Sequence, residues 1–183
     1  MNKLNKRINV AANVAIVVVL VLIGGVLVKR YAPAILARYK THDYRVPAGT
    51  RVSLSDVDWS QNGETLLLVL DTKCAYCTAS APFYQQLARQ AAENGGVQLV
   101  AVLPQAISES KQYLSDLNVP INDVRQATFE ALLVQGTPTL ILVDRNGEVE
   151  QSWAGKLPPE QETELLKRMK EMAASKKNRS GSA

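Results

Sequence analysis

Cys74 and Cys77 are the only cysteines among 183 residues, and they stand in the tetrad Cys74-Ala75-Tyr76-Cys77. The tetrad follows the apolar run Leu66-Leu67-Leu68-Val69-Leu70 and precedes a helical pattern, so it reads as a strand that ends at a helix N-terminus. Unpaired backbone N–H groups and the helix dipole at such an end stabilise a thiolate, the species that attacks disulfides. Cys74 is therefore the expected nucleophile. Cys77 is one helical turn further on, placed to attack the mixed disulfide that Cys74 forms.

Other chemistries of two cysteines fit less well. Structural zinc needs four ligands, and the one remaining soft ligand is His42. Neither a four-cysteine site nor a site of two cysteines and two histidines can form within one chain, and His42 reads as a lone polar residue in a linker. A disulfide with a purely structural role would close a very short loop and stabilise little through chain entropy. A redox-active dithiol is the reading that remains.

Several elements must position that pair. Arg51 to Leu54 reads as a short strand, and a turn at Gly63 leads into a strand from Glu64 to Leu70. The helix opened by Cys74 runs to Glu93 and is stopped by Asn94-Gly95-Gly96. Val97 to Leu103 is a buried strand, Ser108 to Leu117 a helix, and Phe129 to Val134 a short helix before Gly136. Leu140 to Val143 and Glu148 to Gln151 flank Asp144-Arg145-Asn146-Gly147, a hairpin signal. Pro159 to Ala174 closes the domain as a helix, with Leu165, Leu166, Met169 and Met172 on one stripe. Strand–helix units followed by a hairpin and a terminal helix predict an α/β fold around one central sheet.

The N-terminus has a different character. Residues 10–28 are apolar except for Asn13. At about 1.5 Å rise per residue a helix of that length spans close to the ~30 Å core of a bilayer. Basic residues 1–9 precede it and Lys29-Arg30 follow, which predicts an uncleaved transmembrane anchor, longer than the apolar region of a signal peptide. Residues 29–45 then read as a juxtamembrane linker, 46–174 as one globular domain, and 175–183 as a disordered basic tail. Residues 1–43 hold seven Lys/Arg against one acid, whereas residues 44–183 hold 14 Lys/Arg against 16 Asp/Glu. The net charge of +4 thus belongs to the membrane flanks and advertises no nucleic-acid surface.

Together these residues resemble the thioredoxin superfamily, and within it the membrane-tethered TlpA/ResA-like proteins. The resemblance rests on Cys74-Ala75-Tyr76-Cys77 at the strand–helix junction, on Pro82 eight residues after Cys74, and on Gly136-Thr137-Pro138-Thr139 before an apolar strand. It covers about residues 46–174. It implies a thioredoxin-like fold, a central mixed sheet flanked by helices, with a TlpA-like strand–helix insertion between Val97 and Phe129. It also implies that Pro138 is cis, and that Thr137, Pro138 and Tyr76 meet the substrate chain. Departures are equally visible: Lys73 replaces the usual Trp before the first cysteine, and Leu68 stands where thioredoxins bury an acid. Asp71, three residues before Cys74, reads as a capping residue in preference to a proton shuttle. The base that activates Cys77 is unassigned.

The sequence thus predicts a thiol–disulfide oxidoreductase that needs neither metal nor organic cofactor. It would be anchored in a bacterial inner membrane, with its soluble domain in the periplasm or extracytoplasmic space. By resemblance, its partners are disulfide-containing client proteins, such as apocytochromes c or a metal-site assembly factor, and a membrane or extracytoplasmic thiol donor. A disulfide isomerase or oxidase of the same fold, and a binding module with an idle dithiol, remain open alternatives.

Overall fold

The computed structural model describes residues 16–27, 29–30, 44–54 and 57–180. The chain divides into two units, Met1–Asp43 and Tyr44–Ala183. In the first, residues 16–27 and 29–30 are helical, with apolar side chains such as Leu20, Val21 and Leu22 exposed. Among the described residues no helix is long and apolar enough to cross a membrane. Residues 10–15 and 28 of the expected anchor, and His42, lie outside the described residues.

The second unit is built on a five-stranded sheet of order β3-β2-β1-β4-β5. The strands are β1 (Glu64–Val69), β2 (Val97–Leu103), β3 (Asp123–Gln126), β4 (Thr139–Val143) and β5 (Val149–Ala154). β1 pairs in parallel with β2, and β2 with β3; β4 runs antiparallel to β1 and to β5. Because β1 is central and covered on both faces, Leu66 to Leu70 is apolar throughout and 0% exposed. Alternation along the strands divides these residues between two cores. Leu66, Leu68, Leu140 and Leu142 face one side, where they meet Phe83, Leu87, Leu165 and Met169 from the helices. Leu67, Val69, Ile141 and Val143 face the other, covered by Val46, Val52, Trp59 and Leu132.

The helix after β1 is two segments, Ala75–Ala79 and Ala81–Asn94, joined at Ser80 (φ −93°, ψ 0°). Pro82 lies in the first turn of the second segment, where its missing N–H leaves no helical bond unmade. Gly95 (φ 66°) caps the end by donating to the Ala91 carbonyl at 2.9 Å. Ile107–Asp116 forms the helix expected as an insertion, a 3₁₀ turn covers Glu130–Leu132, and the terminal helix is Pro159–Ser180.

Four local expectations change. Arg51 to Leu54 forms no strand; it makes one antiparallel bridge, Arg51 to Glu148, as residues 49–52 lie along the start of β5. Phe129 to Val134 condenses to the 3₁₀ turn, closed by Leu133 in a left-handed conformation. β3 is an additional strand, an edge with one buried side chain, Val124, beside the Asp123–Arg125 ion pair. The terminal helix passes Ala174 and continues through Ser180, since Ser175-Lys176-Lys177-Asn178 contains no Gly or Pro to stop it; residues 181–183 lie outside the described residues.

Gly96 joins the sheet to that helix. It has φ +86°, and a Cβ there would lie 2.4 Å from the Ala173 Cα. Gly96→Ala is expected to destabilise the domain by about 2–4 kcal/mol, from left-handed strain plus overpacking. Gly95→Ala, which meets nothing within 4 Å, is expected to cost only the strain. Urea unfolding of the two variants measures the difference.

Candidate functional site

The chain leaving β1 turns on Asp71. Its carboxylate Oδ1 accepts the Lys73 N–H at 2.7 Å, and its carbonyl accepts the Cys74 N–H at 3.1 Å. This local turn gives Cys74 extended backbone (φ −85°, ψ 110°) and makes it the N-cap of the helix. The cap is the sulfur: Cys74 Sγ accepts the Cys77 N–H at 3.1 Å, as a serine or aspartate oxygen would.

On its other side Cys74 Sγ donates to the Thr137 carbonyl at 3.3 Å. The Thr137–Pro138 bond is cis, and the segment is held from within and from the sheet. Thr139 Oγ1 donates to the Gly136 carbonyl at 2.7 Å, and the Gly155 N–H to the Pro138 carbonyl at 2.7 Å. Cys74, Cys77, Thr137 and Pro138 thus form one cluster at one end of the sheet. Tyr76 lies on the outer face of the short helix segment, 66% exposed. Trp153 is buried in the core, and Trp59 packs against the opposite core, over the Gly147 turn of the hairpin. Lys73 is exposed.

The two thiols are free and differently placed: Cys74 is half-buried and Cys77 fully buried. Desolvation pushes the Cys77 thiol from 9.0 up to about 12; the hydrogen bond and charge of Cys74 add to this, while the Asp71 backbone N–H and the Thr137 side chain oppose it. Tyr84, in the second segment of the same helix and 1% exposed, is also raised by burial, with the Ser80 hydroxyl opposing and both sulfurs adding to the shift.

The sequence profile of the thioredoxin-like domain matches residues 55–170. The chain belongs to the thioredoxin-like family. Its fold is similar to that of a protein from Chlorobium tepidum described as a thiol:disulfide interchange protein DsbE, with TM-score 0.54 and 23% identity over 70% of this chain and 99% of that one. A protein from Bacteroides thetaiotaomicron described as a protein disulfide isomerase gives TM-score 0.58 and 17% identity, over 70% and 91%. One from Neisseria meningitidis described as a thioredoxin gives 0.50 and 22%, over 68% and 85%. No curated protein sequence matches the chain.

Sequence reasoning missed two polar partners. Gln105, in the turn after β2, donates from Nε2 to Asp71 Oδ1 at 3.2 Å. Tyr113 of the inserted helix meets Thr78 Oγ1 at 3.2 Å. Neither residue type signals such a role without the fold that brings it there.

The unequal burial sets two expectations. In the reduced native protein at pH 7.5, iodoacetamide is expected to modify Cys74 and spare Cys77, giving one adduct by mass spectrometry. The raised Cys77 pKa also has a sign: its contribution to stability is complete below about pH 9 and is lost as pH rises toward 12. The Tm of the reduced protein is expected to fall over that range more steeply than that of Cys77→Ser.

Proposed function

We propose that this protein is a membrane-anchored, extracytoplasmic thiol–disulfide oxidoreductase that reduces disulfides in client proteins. The observation that carries the reading is the geometry at Cys74: a half-buried sulfur at a helix N-terminus, bonded to the Cys77 N–H and beside the Thr137 carbonyl. The Cys74 thiolate attacks one client sulfur, forming a mixed disulfide and releasing the other client sulfur as a thiolate. Cys77 then loses its proton and attacks Cys74 Sγ, releasing the second client thiolate. The protein is left as the Cys74–Cys77 disulfide, having given two electrons to the client, whose two thiolates take up protons from water. A thiol donor in the membrane or extracytoplasmic space restores the dithiol.

Thr137, Pro138 and Tyr76 are the residues assigned to the client chain, with extended pairing along the Thr137 backbone. The apolar residues 10–28, flanked by basic residues, support the anchor. The descriptions of the structural neighbours support the reaction class.

Cys77→Ser is expected to trap clients as mixed disulfides on Cys74, visible as reducible high-mass bands, while Cys74→Ser traps none. Equilibration of the purified domain in glutathione buffers is expected to give a potential near roughly −270 mV, the reducing end of the range for such dithiols. A value near about −120 mV would reverse the direction of electron flow. The full chain is expected to stay with membranes through carbonate extraction, and a chain lacking residues 1–43 to be released.

A further inference from the structure

The loop before the dithiol is fixed through one residue: the Asp71 carbonyl accepts the Cys74 N–H at 3.1 Å. What orients Asp71 is its carboxylate, whose Oδ1 takes the Lys73 N–H from within the loop and Gln105 Nε2 from outside it.

Gln105 is itself anchored in the inserted segment. Its carbonyl accepts Ser110 Oγ at 3.3 Å, and Ser110 is fully buried in the inserted helix. Its side-chain Oε1 is buried, and it is the one buried side-chain oxygen or nitrogen without a hydrogen-bond partner among the described residues. Turning the amide over would not relieve this. Oε1 would then face the carboxylate oxygen, two acceptors in contact. A buried acceptor is left unmet so that the NH₂ group can reach Asp71, which marks the Asp71 contact as the one that decides the side chain's orientation.

We propose that Gln105 and Asp71 are a positioning pair for the dithiol: a strut from the inserted segment to the loop bearing Cys74 and Cys77, in which Asp71 acts as a hydrogen-bond acceptor and not as a proton carrier. The proposal rests on the oxidoreductase reading given above. The carboxylate oxygen that is bonded holds two donors, and the contact toward Cys74 comes from the Asp71 main-chain carbonyl. Asparagine at position 71 presents the same acceptor without the charge.

The test compares wild type, Asp71→Asn, Asp71→Ala and Gln105→Ala. The measurements are the Cys74–Cys77 potential in glutathione buffers, and the pH profile of insulin reduction with dithiothreitol as reductant. Asp71→Asn is expected to keep the wild-type potential and pH profile, with turnover within about twofold. Asp71→Ala and Gln105→Ala are each expected to lower turnover about tenfold or more and to move the potential, an effect that loss of stability alone does not produce. Combining them should be no worse than Asp71→Ala alone, because one contact is being removed. If Asp71→Ala fails to fold, Gln105→Ala, which truncates only the outer partner, carries the test. Wild-type potential and turnover in both alanine variants would overturn the pair. So would an Asp71→Asn that loses as much as Asp71→Ala and flattens the pH profile, the behaviour of a proton carrier. A wild-type protein whose thiols form no disulfide at any glutathione ratio overturns the oxidoreductase reading, and the pair with it.

Discussion

A single sulfur atom joins two segments 63 residues apart: Cys74 Sγ takes the Cys77 N–H from its own helix and reaches the Thr137 carbonyl across the sheet. The sheet makes the meeting possible. β1 and β4 are antiparallel neighbours with Val69 opposite Thr139, so the chain leaving one strand and the chain entering the other emerge together. A one-residue slip in that pairing would separate them. It would also send Leu140 and Leu142 to the face now occupied by Ile141 and Val143. The register that assembles the site is thus the register that fills both cores, and the site inherits the stability of the core.

In the proposed reaction, unequal burial orders the steps: the half-buried Cys74 is the sulfur that a client reaches, and the buried Cys77 reacts with the sulfur already attached there. Desolvation, ahead of the hydrogen bond with Cys74, is what raises the Cys77 thiol, and the Asp71 backbone and the Thr137 side chain oppose the shift. No buried carboxylate occupies the position of Leu68.

The parts of this arrangement that were legible in the sequence have strong local signals. The fully apolar β1, the Asn94-Gly95-Gly96 stop, the Asn146-Gly147 turn and the dithiol at a strand–helix junction each depend on neighbours along the chain. What was not legible depends on partners elsewhere. β3 buries only Val124 and carries an ion pair, so it has no apolar pattern to read; β2 beside it makes it a strand. Arg51 to Leu54 has the strand composition but lies along the hairpin through scattered bonds. Gln105 was invisible for the same reason. A polar residue after a strand is ordinary, and only the parallel pairing of β1 with β2 brings it to Asp71.

The inserted segment is integral to the domain and also adjoins the site. Leu114 is 1% exposed within the helix-covered core, and Gln85 of the helix after β1 donates to the Leu117 carbonyl at 2.8 Å. Those buried contacts fix the helix in place. Its outer contacts, Glu109 with Thr72 at 3.3 Å and Tyr113 with Thr78 at 3.2 Å, are exposed, and exposed hydrogen bonds compete with water and contribute little to stability. Support and contact are therefore divided between two faces of one helix. The buried face holds the helix against the core, and the exposed face, whose Tyr113 meets Thr78 of the dithiol helix, can change its side chains at small cost to folding.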